Sequence, residues 1–419
     1  MTLNRKARNQ RRMHTKISER LERRKTSVII VAALIFLVAL VVANYQFARQ
    51  NNAGIDFLIR WLPMRLVLTG GLASPYAEEA SEAIQYFQYG RLAEPGEIKG
   101  MFLYPYYIIF FMFPFALIEN FLTARIIWMT FLEILIIIMG VLSLKMVDFK
   151  FQLTTTLLLF GFFLMSPRFL QPLVEGNPAI LSAFFVVLTL FFLWKEQDIA
   201  AGIALAFATI KPQLVILFFI FVLFWSFSQK RWKVIIYALG IMAVLVGFSF
   251  LLCPSWVGEF LSQILIYQSL ATPNTPEAII SENFSNRLQL VFNLLVMGLL
   301  LYEWRNAYGK GFHTFFWTAM LTFSILPLTS LPFGNRNLVI LIPALIMIVV
   351  IIIRNIKRVW IFDLVLFCIF VYSWAFFFLP LFISSLPWFL GFMNYLPFIM
   401  IIIILLYLIR GKWNRLQSE

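Results

Sequence analysis

Few side chains in this chain can do acid–base or anion chemistry, and their scarcity narrows the possibilities. Of 419 residues, 20 are Asp or Glu, 34 are Lys or Arg, two are His and two are Cys. His14 sits in a basic N-terminal tail and His313 beside a basic loop, so neither serves the opposite face. Cys368 falls inside an apolar run, which makes a disulfide framework with Cys253 implausible. A His/Cys zinc site is thereby excluded, and no metal or cofactor is expected. Any base on the face away from the basic clusters must be a carboxylate. Asp56 is the leading candidate, within Gly54-Ile55-Asp56-Phe57, a few residues after the first apolar run. There it would meet the head group of a lipid-linked substrate at the membrane–water boundary. The same position suits a helix cap, and on residue grounds both readings stand.

The cations divide in the same way. Lys211 precedes Pro212 at a break between two short apolar halves, and Arg336 lies in Leu331-Pro332-Phe333-Gly334-Asn335-Arg336-Asn337. An ionisable residue at a span end is costly unless paired or wetted, so a functional role is the first suspicion. Snorkelling to lipid phosphates is the plainer alternative. Arg168, after Ser166-Pro167, and Arg287, beside Asn283-Phe284-Ser285, are lesser candidates of the same kind. Tyr104 either lines a pocket or belongs to an aromatic belt, and Glu175 is a second acid on the same face. Glu133 falls mid-span, beyond i,i+4 reach of Arg125, and reads as a partner in an interhelical hydrogen bond.

The elements that must position these residues are membrane helices. Apolar residues make up 61% of the chain and charged ones 13%, and 47 residues are Phe. A soluble domain carries about twice that charge fraction, so lipid must solvate the surplus apolar surface. The net charge of +14 is concentrated at the N-terminus, where Arg5, Lys6, Arg8, Arg11, Arg12, Lys16, Arg20, Arg23, Arg24 and Lys25 precede the apolar run Val28 to Ala48. That is the positive-inside arrangement, and anchoring to anionic lipid explains it better than nucleic-acid binding. The run is too long for a signal-peptide core and reads as a retained span. Further spans are expected at 122–144, 151–166, 178–194, 198–211, 212–228, 233–252, 288–303, 311–331, 337–353, 359–380 and 395–409. Basic clusters at Lys145 and Lys150, Lys195, Lys230 to Lys233, Arg305 and Lys310, Arg354 to Arg358 and Arg410 to Arg415 mark one face. The expected fold is an all-α polytopic bundle of about twelve transmembrane helices with both termini cytoplasmic. It divides into a basic tail (1–27), a transmembrane domain (28–409) and a C-terminal tail (410–419).

The first outer loop, 49–100, is expected to hold structure. Phe57 to Leu68 surrounds Arg60, Trp61 and Arg65 with apolar residues, as in an interfacial helix. Ser74-Pro75 opens a second helix with Glu78 and Glu79 at its positive end, closing at Gly90. Residues 101–118 are interrupted by Pro105 and Pro114 and read as re-entrant, because a full crossing would misplace Lys145 and Lys150. Residues 198–228 must form a hairpin with Lys211 near the outer face.

Several short motifs follow one another in a known order. Asp56-Phe57, Gly70 with Pro75-Tyr76, Phe102-Leu103-Tyr104-Pro105, Pro114-Phe115-Ala116 and Ala124 to Trp128 come first. Gly176-Asn177, Ala201-Gly202 leading to Ile210-Lys211-Pro212, and Asn283-Phe284-Ser285 follow. Over about residues 50–345 the chain resembles glycosyltransferase family 87, the polyprenyl-phosphate-mannose-dependent mannosyltransferases of the GT-C superfamily. It departs from that family where a late outer loop often carries Asp-His, since Arg336 stands at that place here.

The resemblance implies an inverting transfer of a hexose, mannose first, from a polyprenyl-phosphate donor to a glycolipid or glycan acceptor. It would take place on the outer face of a bacterial plasma membrane. Asp56 would be the general base. Lys211, Arg336, Arg168 and Arg287 would hold the donor phosphate, and Tyr104, Glu175, Asn177 and Asn283 would bind substrate. A transporter or flippase, or a polymerase or ligase of polyprenyl-linked glycans, is the alternative. A transporter usually shows internal repeats and midplane charges, which the sequence largely lacks.

Overall fold

Backbone buried in hydrocarbon must satisfy its own hydrogen bonds, which makes helices of the apolar runs. The computed structural model describes residues 27–415 apart from 29, 52–53, 271–285, 330–333, 357 and 383–386. Every regular element among the described residues is helical. The chain opens with α1 (Ile30–Gln50), α2 (Ile55–Leu68) and α3 (Glu78–Tyr89). A 3-10 turn (Tyr106–Ile108), α4 (Ile109–Ala116) and α5 (Phe121–Met146) follow. Next come α6 (Leu153–Met165), α7 (Pro167–Val174), α8 (Ala179–Trp194), α9 (Asp198–Ala208), α10 (Pro212–Ser228), α11 (Trp232–Leu252) and α12 (Trp256–Leu270). The last helices are α13 (Asn286–Ala307), α14 (Phe312–Ile325), α15 (Ile342–Asn355), α16 (Val359–Phe382) and α17 (Pro387–Arg415), with a 3-10 segment, Asn335–Leu341, leading into α15.

Large apolar side chains such as Leu34, Leu153, Ile236, Leu251, Leu295 and Leu408 face outward. Soluble monomers rarely expose so much apolar surface. Six helices among the described residues are long and apolar enough to cross a membrane, or seven if α6 and α7, bent by 50°, count as one span. The protein is thus polytopic, with fewer full-length spans than the expected twelve. Most of the difference lies in Ala179–Trp194, Asp198–Ala208, Pro212–Ser228 and Phe312–Leu328, which are apolar but at 10–17 residues shorter than a full-length crossing.

The bundle has two distinct ends, joined by α5, which is about 39 Å long at 1.5 Å per residue. At its start Arg125 donates to Asn51 O (2.7 Å) and Trp128 Nε1 to Gly176 O (3.0 Å). At its other end Met146, Val147, Asp148, Trp194, His313, Arg354 and Trp413 line a cavity of about 300 Å³. Arg231 pairs with Asp198 at this basic end. Two polar pins join helices, one mid-span and one near the basic end. Asn44 of α1 donates to Glu133 (2.8 Å) and Thr130 (3.0 Å), the interhelical bond expected for Glu133. Glu303, 2% exposed, takes both arms of Arg410 at 2.9 Å, and Arg410 lies 4.4 Å over Trp317.

The segment at 101–118 turns back. At eight residues α4 is about 12 Å long, too short to cross. Trp61 Nε1 donates to Phe115 O (3.1 Å) and Ile118 O (3.2 Å), which ties the end of α4 to α2.

Candidate active site

Gly54 starts α2 with φ 107°, a conformation that favours glycine, and a Cβ there would lie 2.6 Å from Arg125 Nε. Asp56 follows in the first turn, where the helix N-terminus favours a negative charge. No side chain caps α2, so Asp56 is free of the capping role that its position also suited. Gly176 has φ 71°, and a Cβ there would meet Phe57 Cβ at 2.6 Å and Trp128 Cδ1 at 3.0 Å. That bare contact lets the 175–177 turn lie against α2, with Phe57 N donating to Glu175 O at 2.9 Å. Asn177 is thereby delivered to Asp56.

Asp56 is 7% exposed and surrounded by donors. Its Oδ2 accepts from Asn177 Nδ2 (2.7 Å) and Arg336 Nη1 (3.1 Å). Its Oδ1 faces Arg60 Nη1 at 3.6 Å, beyond hydrogen-bond distance. Arg336 reaches further with Nη2, to 3.6 Å from Glu175 Oε1, so one guanidinium bridges two carboxylates. Lys211 Nζ donates to Asn177 Oδ1 (3.0 Å) and Asn337 Oδ1 (2.6 Å). Arg60 stacks 4.0 Å from the centre of the Tyr104 ring, and Tyr104 O accepts from Tyr76 Oη at 2.6 Å. Tyr107 Oη donates to Thr209 O (2.9 Å), fastening the hairpin tip that carries Lys211 to the re-entrant segment. Gln263 of α12 donates to Tyr76 O (2.8 Å) and steadies the loop from outside.

Burial alone would push the Asp56 carboxyl upward. Arg60, Arg336, Lys211 and the Asn177 hydrogen bond outweigh it and hold the group below the usual carboxylate range. Burial raises Glu175, and Arg336 offsets only part of that rise. The two acids are thus driven apart, one firmly ionised and the other closer to taking a proton.

The structure brings Asp56, Tyr104, Glu175, Asn177, Lys211 and Arg336 into one cluster. Arg168 instead donates to Ser373 (3.3 Å) and lies 4.4 Å over Phe398, on the last two helices. Asn283 and the side chain of Arg287 lie outside the described residues. Two members of the cluster escaped the sequence reading. Arg60 was counted only as part of an interfacial helix, although its i,i+4 spacing from Asp56 was a usable signal. Asn337 stood beside Arg336 with nothing local to single it out.

Comparison with known proteins finds a similarity over part of the chain. Residues 102–274 match the glycosyltransferase family 87 model. The match bears out the resemblance carried by the ordered motifs and indicates a membrane glycosyltransferase. Tyr104, Glu175, Asn177 and Lys211 lie within the matched stretch, whereas Asp56, Arg60, Arg336 and Asn337 lie outside it. No curated protein and no solved structure matches the chain.

Proposed function

We propose that this glycosyltransferase moves a hexose, mannose first among them, from a polyprenyl-phosphate donor to a hydroxyl of a glycolipid or glycan acceptor. The observation that carries the reading is the Asp56 cluster: a buried, ionised carboxylate set among Arg60, Lys211 and Arg336 at the end of the bundle away from the basic loops. Arg60, Lys211 and Arg336 act on Asp56, and Arg336 and Arg125 act on Glu175, so cations outnumber carboxylates and the site is net positive. A sugar joined to lipid through a phosphodiester carries a negative charge suited to such a site. By the positive-inside rule the basic end is cytoplasmic, which puts both termini inside and the reaction on the outer face of a bacterial plasma membrane. A GT-C-type bundle is the architecture that accompanies this reading.

The acceptor oxygen attacks the anomeric carbon while the bond from that carbon to the phosphate oxygen breaks. The electron pair leaves with polyprenyl phosphate, the acceptor proton passes to Asp56, and the anomeric configuration inverts. Oδ1 is the oxygen suited to take the proton, since Oδ2 is already occupied by two donors. The fixed cations stabilise the charge that collects on the phosphate, as preorganised donors do for an oxyanion. The negative charge of the bound phosphate offsets part of their pull on Asp56, which strengthens it as a base when the donor is bound. The test is transfer from radiolabelled polyprenyl-phosphate-mannose in membranes containing the wild type or Asp56→Asn. Loss of transfer in Asp56→Asn is expected. Transfer at the wild-type rate would remove Asp56 as base, and no transfer from any polyprenyl monophosphate donor by the wild type would refute the reading.

A further inference from the structure

Hydrogen-bonding capacity is unevenly spent among the cations around Asp56. Lys211 commits two of its three N–H groups to the carbonyl oxygens of Asn177 and Asn337. Arg336 donates one arm to Asp56, and the other, 3.6 Å from Glu175, belongs to a side chain 36% exposed and so open to water. Arg60 is different. It is 5% exposed, yet its Nε and Nη1 have no hydrogen-bond partner among the described residues. The carboxylate oxygen that faces it stands at 3.6 Å, close enough for attraction but outside hydrogen-bond distance. Unpaired N–H groups on a buried cation are expensive, and a fold tolerates them where a ligand completes them.

The rest of the geometry fits an anionic ligand. The Arg60 guanidinium carbon lies over the Tyr104 ring, 4.0 Å from its centre, which helps hold the group in place. A planar guanidinium matches the oxygens of a phosphate better than any other side chain. Arg60 lies one helical turn beyond Asp56, about 6 Å along the axis, so a group bound by it sits beside the base. We propose that Arg60 is the anion-receiving residue of the site, its unpaired N–H groups taking non-bridging oxygens of the donor's phosphate. This rests on the lipid-phosphate reading above and goes beyond it, because it places the phosphate on α2 beside the base, and not on the Lys211 hairpin.

The experiment uses detergent-solubilised full-length protein, titrated with citronellyl phosphate or with citronellol and followed by tryptophan fluorescence. The wild type should bind the phosphate at least about tenfold more tightly than the alcohol, as expected for a charge-assisted contact. Arg60→Gln should weaken the phosphate by about tenfold or more while leaving the alcohol within about twofold. Arg65→Gln should bind as the wild type does, since Arg65 serves the backbone oxygens of Ala116 and Leu117. Wild-type affinity for citronellyl phosphate in Arg60→Gln would overturn the assignment and leave the lipid-phosphate reading standing. A wild type that does not distinguish phosphate from alcohol would overturn both. If Arg60→Gln does not fold, Arg60→Lys decides: it keeps the charge but loses the planar fork and the stacking, so affinity should fall about three- to tenfold. Undiminished affinity there would equally overturn the assignment.

Discussion

Replacing Asn177 by aspartate changes one polar atom of the cluster, the Nδ2 that donates to Asp56 Oδ2 at 2.7 Å, into a carboxylate oxygen. Two ionised oxygens cannot stay at that separation. Relaxed to about 4 Å, at an effective dielectric of about 20, they would repel by about 4 kcal/mol. Lys211, 3.0 Å from the other oxygen of the same side chain, gains an ion pair of about 5 kcal/mol on the same scale, which keeps the new aspartate ionised and leaves the repulsion to act on Asp56. That repulsion of about 4 kcal/mol sets a ceiling of about 3 pH units on the rise in the upper titration of the carboxylate pair. In the wild type Asp56 is held below the usual carboxylate range, so the base stays ionised as the pH falls and transfer should lose rate only in strong acid. In Asn177→Asp the pair holds a shared proton to higher pH, and the acid limb should climb by up to about 3 units. Initial transfer rates in proteoliposomes between about pH 4.5 and pH 9 would measure it. Asn177→Leu, which removes the donor without adding charge, should lower the rate with a smaller displacement of the limb. A profile for Asn177→Asp that superimposes on the wild type would refute the reasoning, because Asp56 would then not govern the rate.

Three further outcomes follow from the geometry. Arg336→Ala removes a cation 3.1 Å from Asp56, so the acid limb of transfer should move upward in the same assay. Gly176→Ala forces a Cβ to within 2.6 Å of Phe57 Cβ at positive φ, which should cost about 2–4 kcal/mol of stability and depress transfer, read from thermal unfolding in detergent. Glu303→Ala strips the buried partner from Arg410, far from the Asp56 cluster. With Arg410 partly exposed, the loss should be about 1–3 kcal/mol in the same unfolding assay, with an unchanged KM for the donor.

Membrane class, helical fold and the position of most helices were legible in the residues, because hydropathy and proline breaks act over a few turns of chain, whereas α7 and α12 were not expected. Asp56 was legible for the same reason: a lone carboxylate just after a span is conspicuous locally. Reading 101–118 as re-entrant likewise needed only Pro105, Pro114 and the charges downstream, and the short α4 agrees with it. The breaks at Ser166-Pro167 and Lys211-Pro212 were legible too, but the span count was less so, since runs counted as spans at 178–194, 198–211 and 212–228 form helices shorter than a full-length crossing.

The pairings around Asp56 were of another kind. Asn177, Arg336 and Lys211 meet through contacts that join positions 56 to 177, 56 to 336 and 211 to 337, and no local pattern specifies such partners. Arg168 had the same local credentials as Lys211, yet the packing of α7 gives it Ser373 and Phe398. Arg60 had the right spacing, but only tertiary burial turned an interfacial arginine into a cation with unmatched N–H groups beside a carboxylate. Sequence by itself determined the solvent the chain lives in and where its charges could be tolerated, since those depend on local transfer energies. Which charges confront one another was decided by the tertiary structure, because desolvation and Coulomb energy depend on distances that only packing sets.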